Sequence, residues 1–299
     1  MASHEVFNSR SQNTTTCVHE LEGGLPELAE LGHDLATRTD PRYVELRRAS
    51  RAYRASYDFT GTYSLSEAVQ LAREGWPEGV ERLNNAPEIN VDVDCTTQLQ
   101  PFFDLSGEEV DVARYLTGEP ENMIAYQMIE QPRDHIIELI VQGNQPAKTT
   151  KEQIIGRGAV ILAATQAMQS RGFSIGITYA TASRGPQWYD EPLFRSEYYL
   201  PLQEIGQVTD VDALAFALLH PSMTRRLMFG AYEQLEPAEV KERRDIRLSG
   251  TYGYVDSLQY PPLREHPTVI VPHRFGLSGS VQEAQALADK MVGVTATAG

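Results

Sequence analysis

The residues best placed to carry chemistry sit together between Val141 and Lys151. Gln142, Asn144, Lys148 and Thr149 follow an apolar run, Ile136-Ile137-Glu138-Leu139-Ile140-Val141, of strand length and β-branched character. From Lys151 to about Gln169 the pattern takes a helical period, and Ser174 to Ala182 returns to strand character. A loop that leaves the carboxyl end of a strand and enters a helix is where open α/β sheets hold their ligands. Carboxamides, an ammonium and a hydroxyl in such a loop suit a nucleotide or a metal ion. Thr209, ahead of a later helix, and Asp256, after a short strand, are the residues expected to complete the crevice.

Other motifs have simpler readings. Gly172-Phe173-Ser174-Ile175-Gly176 carries the letters of a nucleophile elbow, but that elbow needs a strand before the serine and a helix after it. Here the order is reversed, and the glycines end a helix. Gly156-Arg157-Gly158 lies inside the predicted helix, so it packs that helix onto the sheet instead of cradling phosphate. Lys148-Thr149-Thr150 lacks the upstream glycine of a phosphate-binding loop, and Thr149 with Glu152 or Thr150 with Gln153 makes a capping box. Asp92 and Asp94, with Asn90, share one face of an alternating segment and could hold a hard cation, although such faces are more commonly solvated. The histidines are scattered, with no pair at helical ligand spacing; His266 and His273 flank a predicted strand, each beside a turn. No catalytic residue, metal ligand or cofactor is assigned.

Two segments read as contact surfaces. Arg47, Arg51 and Arg54 fall on one face of a helix that Asp40-Pro41 caps. In an acidic chain their expected partners are carboxylates of this chain or of a neighbouring subunit rather than nucleic acid. The aromatic stretch with Trp188, Tyr189, Phe194, Tyr198 and Tyr199 suits burial at an interface.

These groups must be positioned by a scaffold. Strand, crossover helix and strand make a right-handed βαβ unit. The expected class is therefore α/β, with a mainly parallel central sheet, Rossmann-like or A-domain-like, and a helical N-terminal region. Residues 1–22 read as a polar arm, 23–98 as a helix-rich region and 99–299 as the α/β core. Asn122 to Ile129 is expected to pair beside Ile136, Leu227 to Phe229 to start a strand, and Pro237 to Arg244 to form an exposed helix.

The composition narrows the partners. Lysine and arginine number 26 against 41 acidic residues, a net charge of −15, which repels nucleic-acid backbones and anionic lipid at long range. Two cysteines, Cys17 and Cys95, are too few for a disulfide framework, and no apolar run reaches membrane-spanning length. A cytoplasmic protein with reduced thiols is expected.

Around His135–Ala182 the topology is similar to the opening of a von Willebrand factor A-type domain, although the loop Gln142-Gly143-Asn144-Gln145-Pro146 lacks the Asp-x-Ser-x-Ser metal ligands. From about residue 60 to 290 the chain resembles a family of uncharacterised proteins from phages and actinobacterial mobile elements. That resemblance rests on Ser64-Leu65-Ser66-Glu67-Ala68, Gly75-Trp76-Pro77-Glu78-Gly79, Tyr115-Leu116-Thr117-Gly118-Glu119-Pro120, Gly156-Arg157-Gly158-Ala159 and Pro221 to Phe229. The resemblance brings no activity with it. The lack of a complete catalytic set, the polar arm and the aromatic segment from Trp188 to Tyr199 lead instead to the expectation of a non-enzymatic phage or mobile-element protein that works through protein–protein contacts or self-association, such as an assembly or virion component. The alternative expectation is a ligand- or metal-binding α/β enzyme using the crevice.

Overall fold

Alternating or continuous apolar runs separated by turn formers build a seven-stranded sheet in the computed structural model, which describes residues 3–9, 14–83, 89–91, 95–132, 135–185, 193–235, 254–262 and 265–298. By its contacts the chain divides into two units. One comprises Met1–Val91 with Ile136–Gly299, and the other is Asp92–His135.

The larger unit is organised on the strand–helix–strand element expected from the sequence. β6 (Ile136–Gln142), α8 (Lys151–Gln169) and β7 (Ser174–Arg184) place β6 and β7 side by side and parallel, with Gln142 opposite Ala180. β10 (Thr268–Val271) adds a parallel strand on the other side of β6. β8 (Leu193–Gln203) returns antiparallel to β7, and β2 (Thr14–Glu20) runs parallel to β8. β1 (Ser3–Ser9) closes that edge, and the two-residue β9 (Tyr254–Val255) pairs with the end of β7. The fold is α/β, with a parallel centre inside a mixed sheet.

Residues 1–22 were expected to be an arm, yet β1 and β2 belong to the sheet. Thr14-Thr15-Thr16-Cys17-Val18 is β-branched, and β2 lies between two strands, so its polar residues are buried with their backbone in the ladder. The helix-rich region packs into the same unit. It contributes α1 (Gly24–Thr37), α2 (Pro41–Ala49), α3 (Arg51–Arg54), α4 (Tyr57–Thr60), α5 (Leu65–Glu74) and α6 (Pro77–Leu83). The predicted caps are present: Asp40 accepts from the Tyr43 amide, Ser64 from Glu67, and Thr150 forms a reciprocal box with Gln153.

One face of the sheet meets helices: Tyr179 reaches Thr224, and Thr181 and Tyr198 both meet Tyr232. The other face carries Val18, Ile140, Ala180 and Tyr199, covered in part by Phe7, Leu258 and Tyr260. There the fully buried Glu197 accepts from the Gln259 and Tyr260 amides and from the Tyr199 hydroxyl, fastening that covering segment.

Leu227 to Phe229 is helical rather than extended. α9 (Val211–Leu219) is followed by a π-helical stretch, Met223–Met228, that runs directly into α10 (Phe229–Leu235). Its apolar residues are buried all round by α1, α3 and α5, so local β-propensity does not decide its conformation. α11 (Val281–Ala298) packs on α8 and β10. Gly158 sits in α8 where a Cβ would come 2.4 Å from the Leu218 carbonyl oxygen, so it allows contact with α9 rather than with the sheet.

The smaller unit holds a separate sheet. β3 (Cys95–Asp104), β5 (Met123–Pro132) and β4 (Glu109–Val110) lie in the order β3-β5-β4, with α7 (Val112–Thr117) between β4 and β5 in sequence. The strand over Asn122–Ile129 thus pairs with β3 and β4, not with β6: β3 takes up one edge of it along its whole length and β4 part of the other. Ile89 to Val91 is not a strand, and Asp92, Asp94 and the Pro237 to Arg244 segment lie outside the described residues.

Candidate functional site

At the carboxyl ends of β6, β7 and β10 the loop from Gly143 to Thr150 is held by its own side chains. Asn144 stands where β6 would have continued opposite Ala182. Its Nδ2 donates to the Ala182 carbonyl at 2.7 Å, and its Oδ1 accepts the Ala182 amide at 3.3 Å. A side chain thus extends the ladder by one step after the backbone has turned away. The Gln142 Nε2 donates to Asn144 Oδ1 at 3.2 Å and to the Asp256 carbonyl. That leaves Gln142 Oε1 facing His273 Nδ1, 3.4 Å away.

His273 follows β10 and is half-buried. Burial, with Arg274 and Arg157 nearby, pushes its pKa below the ordinary histidine value, while Asp256 works in the opposite direction. The imidazole is therefore neutral at pH 7, and Gln142 Oε1 favours the proton on Nδ1. Nε2 is then left as an acceptor.

Beneath the loop lies Arg157, the central residue of Gly156-Arg157-Gly158. Its Nη2 donates to the Gln142 carbonyl at 2.9 Å and to the Pro272 carbonyl at 3.3 Å, tying the ends of β6 and β10 together. Burial lowers its pKa to about 10 and raises that of neighbouring Tyr179 to about 12, so at neutral pH the arginine is charged and the phenol is not.

The π-helical stretch forms the third support. Thr224 meets Tyr179 Oη and donates to the Gly143 carbonyl at 3.3 Å. Arg225 donates to the Thr149 carbonyl at 2.7 Å and to the Phe59 carbonyl at 2.8 Å, with its guanidinium 4.2 Å from the Phe59 ring centroid. The wider turn brings three successive residues, Thr224, Arg225 and Arg226, onto fixed partners, a use to which π-segments are often put.

These supports enclose a cavity of about 440 Å³, within the range of small-molecule sites. Phe59, Phe229, Tyr232 and Tyr254 supply aromatic wall; Arg184 and Arg274 supply positive charge. Arg184 lies 3.6 Å from the Asp256 carboxylate, which also pairs with Arg195 at 2.9 Å, and its guanidinium stacks 5.5 Å from the Tyr254 centroid. Asn144, Gln145 and His273 are the neutral polar lining. Asn144 is consumed by β7, but Gln145 has both amide atoms buried without a hydrogen-bond partner among the described residues. Such an orphaned group costs ~1–3 kcal/mol unless something occupies the space beside it.

The structure brings together only part of the crevice set expected from sequence. Asn144 lines the cavity; Gln142, Thr149 and Asp256 lie behind it and position other groups. Lys148 is exposed and outside the lining. Thr209 lies at the opposite end of α8, accepting from Gln169 Nε2 at 3.1 Å, because α9 starts beside the end of α8 and not its beginning. Gln145, Arg184 and the aromatic wall are not among the residues expected from sequence, although Gln145 lies in the loop that follows β6; in the sequence His273 stands out only as a flank of β10.

The proposed contact residues fare differently. Tyr198 and Tyr199 are each 1% exposed inside β8, so they are core residues of a strand flanked on both sides, unavailable to a partner. Phe194 is half-buried in the same strand. Arg47 donates to the Leu35 and Arg38 carbonyls and Arg54 to the Arg48 carbonyl, so both cap nearby backbone instead of meeting carboxylates. The Arg51 side chain, Trp188 and Tyr189 lie outside the described residues.

No helix among the described residues is long and apolar enough to cross a membrane. The domain of unknown function DUF7192 matches residues 11–294, and the chain belongs to that family. No curated protein and no solved structure matches it.

Proposed function

We propose, for this member of DUF7192, that the cavity at the carboxyl ends of β6, β7 and β10 binds a small planar molecule carrying a negative charge. The carrying observation is the buried, unpartnered carboxamide of Gln145 within an aromatic cavity that Arg184 and Arg274 also line. Aromatic walls favour a flat, polarisable ligand. A carboxamide with free donor and acceptor reads paired polar atoms on its edge. The guanidinium groups favour a carboxylate or phosphate. His273 Nε2 adds a neutral acceptor at the same site.

The reading is tested by isothermal titration of the full chain with adenosine 5′-monophosphate, guanosine 5′-monophosphate, benzoate and inorganic phosphate. A planar anion is expected to bind at micromolar to millimolar concentration and phosphate alone more weakly. Gln145→Leu is expected to weaken the planar anion about tenfold, and Arg274→Ala to weaken both anions. Absence of binding by all three planar anions, or unchanged binding in Gln145→Leu, refutes the assignment.

A further inference from the structure

The smaller unit carries an apolar sheet face with nothing packed on it among the described residues. In the antiparallel register Leu99 stands opposite Met128, Pro101 opposite Tyr126, and Phe103 opposite Ile124. Opposed residues share a face, so these six form one continuous apolar patch. The residues between them, Gln100, Phe102, Asp104, Ala125 and Gln127, belong to the other face. Leu99 is 63% exposed and Met128 75%, with Phe103 and Tyr126 also exposed. α7 touches one corner, where the Arg114 guanidinium lies 3.7 Å from the Phe103 centroid. No buried apolar side chain occurs among the described residues of this unit. A three-stranded sheet needs a covered apolar face to be stable, and contiguous exposed apolar surface marks an interaction site.

Charge selects the occupant. Residues 92–135 contain ten aspartates and glutamates against two arginines, Arg114 and Arg133. Arg114 is already paired with Glu119 at 3.0 Å, and Glu109 of the edge strand stands on the apolar face opposite Ile124. Two such faces brought together would confront like charges, which opposes a second copy. The same charge opposes anionic lipid and nucleic acid. We infer that this face docks a basic amphipathic segment of a partner protein, which sets apolar side chains on the Leu99–Met128 patch and lysine or arginine against the surrounding carboxylates. The five residues from Ile124 to Met128 span about 13 Å, the length of two to three helical turns. This is the surface on which the expected protein–protein contacts would rest, and it is independent of the ligand cavity.

Fluorescence anisotropy with the full chain tests the inference, using a labelled amphipathic Leu/Lys peptide of about 14 residues. A Ser/Lys peptide of equal charge and a Leu/Glu peptide are the controls. The Leu/Lys peptide is expected to bind at least tenfold more tightly than either, and less tightly as salt rises. Leu99→Lys with Met128→Lys is expected to weaken it at least tenfold, with unchanged thermal unfolding and unchanged titration of the cavity ligands. Should that pair unfold the chain, Leu99→Ser with Met128→Ser replaces it, with the same expected loss. Equal binding of the Ser/Lys peptide, or unaltered binding by the variants, overturns the inference. So does sedimentation showing a wild-type dimer that the variants dissociate, which makes a second copy the occupant. Binding to phosphatidylserine vesicles that the variants abolish assigns the face to membrane and overturns it equally.

Discussion

Replacing Arg226 with methionine would test whether the π-helical stretch is the brace on which the cavity depends. The side chain is fully buried and donates five hydrogen bonds. Nε reaches Thr62 Oγ1 at 2.7 Å; Nη1 reaches the Ala52 and Tyr53 carbonyls at 2.9 and 3.3 Å; Nη2 reaches the Ala55 and Thr62 carbonyls at 2.9 and 2.7 Å. One guanidinium thus gathers the chain from α3 past α4, the segment that presents Phe59 to the cavity. Burial lowers its pKa, yet a guanidinium stays protonated, so the charge is held by carbonyl dipoles. Methionine keeps the stem and removes every donor. Hydrogen bonds to a charged group are worth ~1.5–3 kcal/mol each, offset in part because the buried cation no longer has to be desolvated. The net loss is expected at about 4 kcal/mol, or roughly 8–16 °C in Tm for a chain of this size. Circular dichroism during heating reads the loss, and proteolysis within residues 51–62 should quicken in step. Arg226→Lys should fall between, because three donors on one nitrogen cannot span five acceptors. A decrease below about 1 kcal/mol for the methionine variant would refute the brace.

The other predictions concern the loop and its neighbours. Because His273 has a pKa below its unfolded value of about 6.5, the unfolded chain binds more protons as the medium acidifies. Its contribution is therefore complete above pH 6.5 and is lost as pH falls toward the folded pKa. His273→Gln should flatten the stability profile below pH 6.5 in urea titrations, and an unchanged slope would contradict the assignment. A Cβ on Gly143 would lie 2.0 Å from the buried Tyr179 ring, so Gly143→Ala should cost about 3 kcal/mol by overpacking. Gly293→Ala in α11, where a Cβ meets nothing within 4 Å, should be neutral or stabilise by about 0.5 kcal/mol. Equal melting temperatures for these two glycine variants would show that the ring is free to move.

What could be read from the residues was the part governed by short-range physics. The β6–α8–β7 unit was legible because its apolar run, cap and period change lie within fifty residues. The caps at Asp40, Ser64 and Thr150 depend on contacts of three residues' separation. β2 was illegible for the opposite reason: its polar threonines look solvated until β8, far along the chain, supplies the partner that buries them. The π-helical stretch defeated local propensity, since Leu227-Met228-Phe229 has strand-like composition and only its packing against α1, α3 and α5 selects a helix.

The site divides along the same line. Asn144 was visible because it sits where the strand ends, and the crevice rule points at strand ends. In the structure it finishes the β6–β7 ladder, so the residue that sequence position marks as a ligand contact spends its amide on Ala182. Gln145, one position on, inherits the free amide because the chain has turned by then and no ladder position remains for it. In the proposed reading, the ligand group of this loop is the polar residue left over after the backbone has been satisfied. That remainder depends on Ala182, Asp256 and His273, which come from three distant segments. The smaller unit makes the complementary case. Its alternation, Leu99-Gln100-Pro101 against Tyr126-Gln127-Met128, was present in the sequence throughout. Only the register turns that alternation into a single uncovered face, because a slip of one residue would have put Leu99, Pro101 and Phe103 on the face opposite to that of Ile124, Tyr126 and Met128.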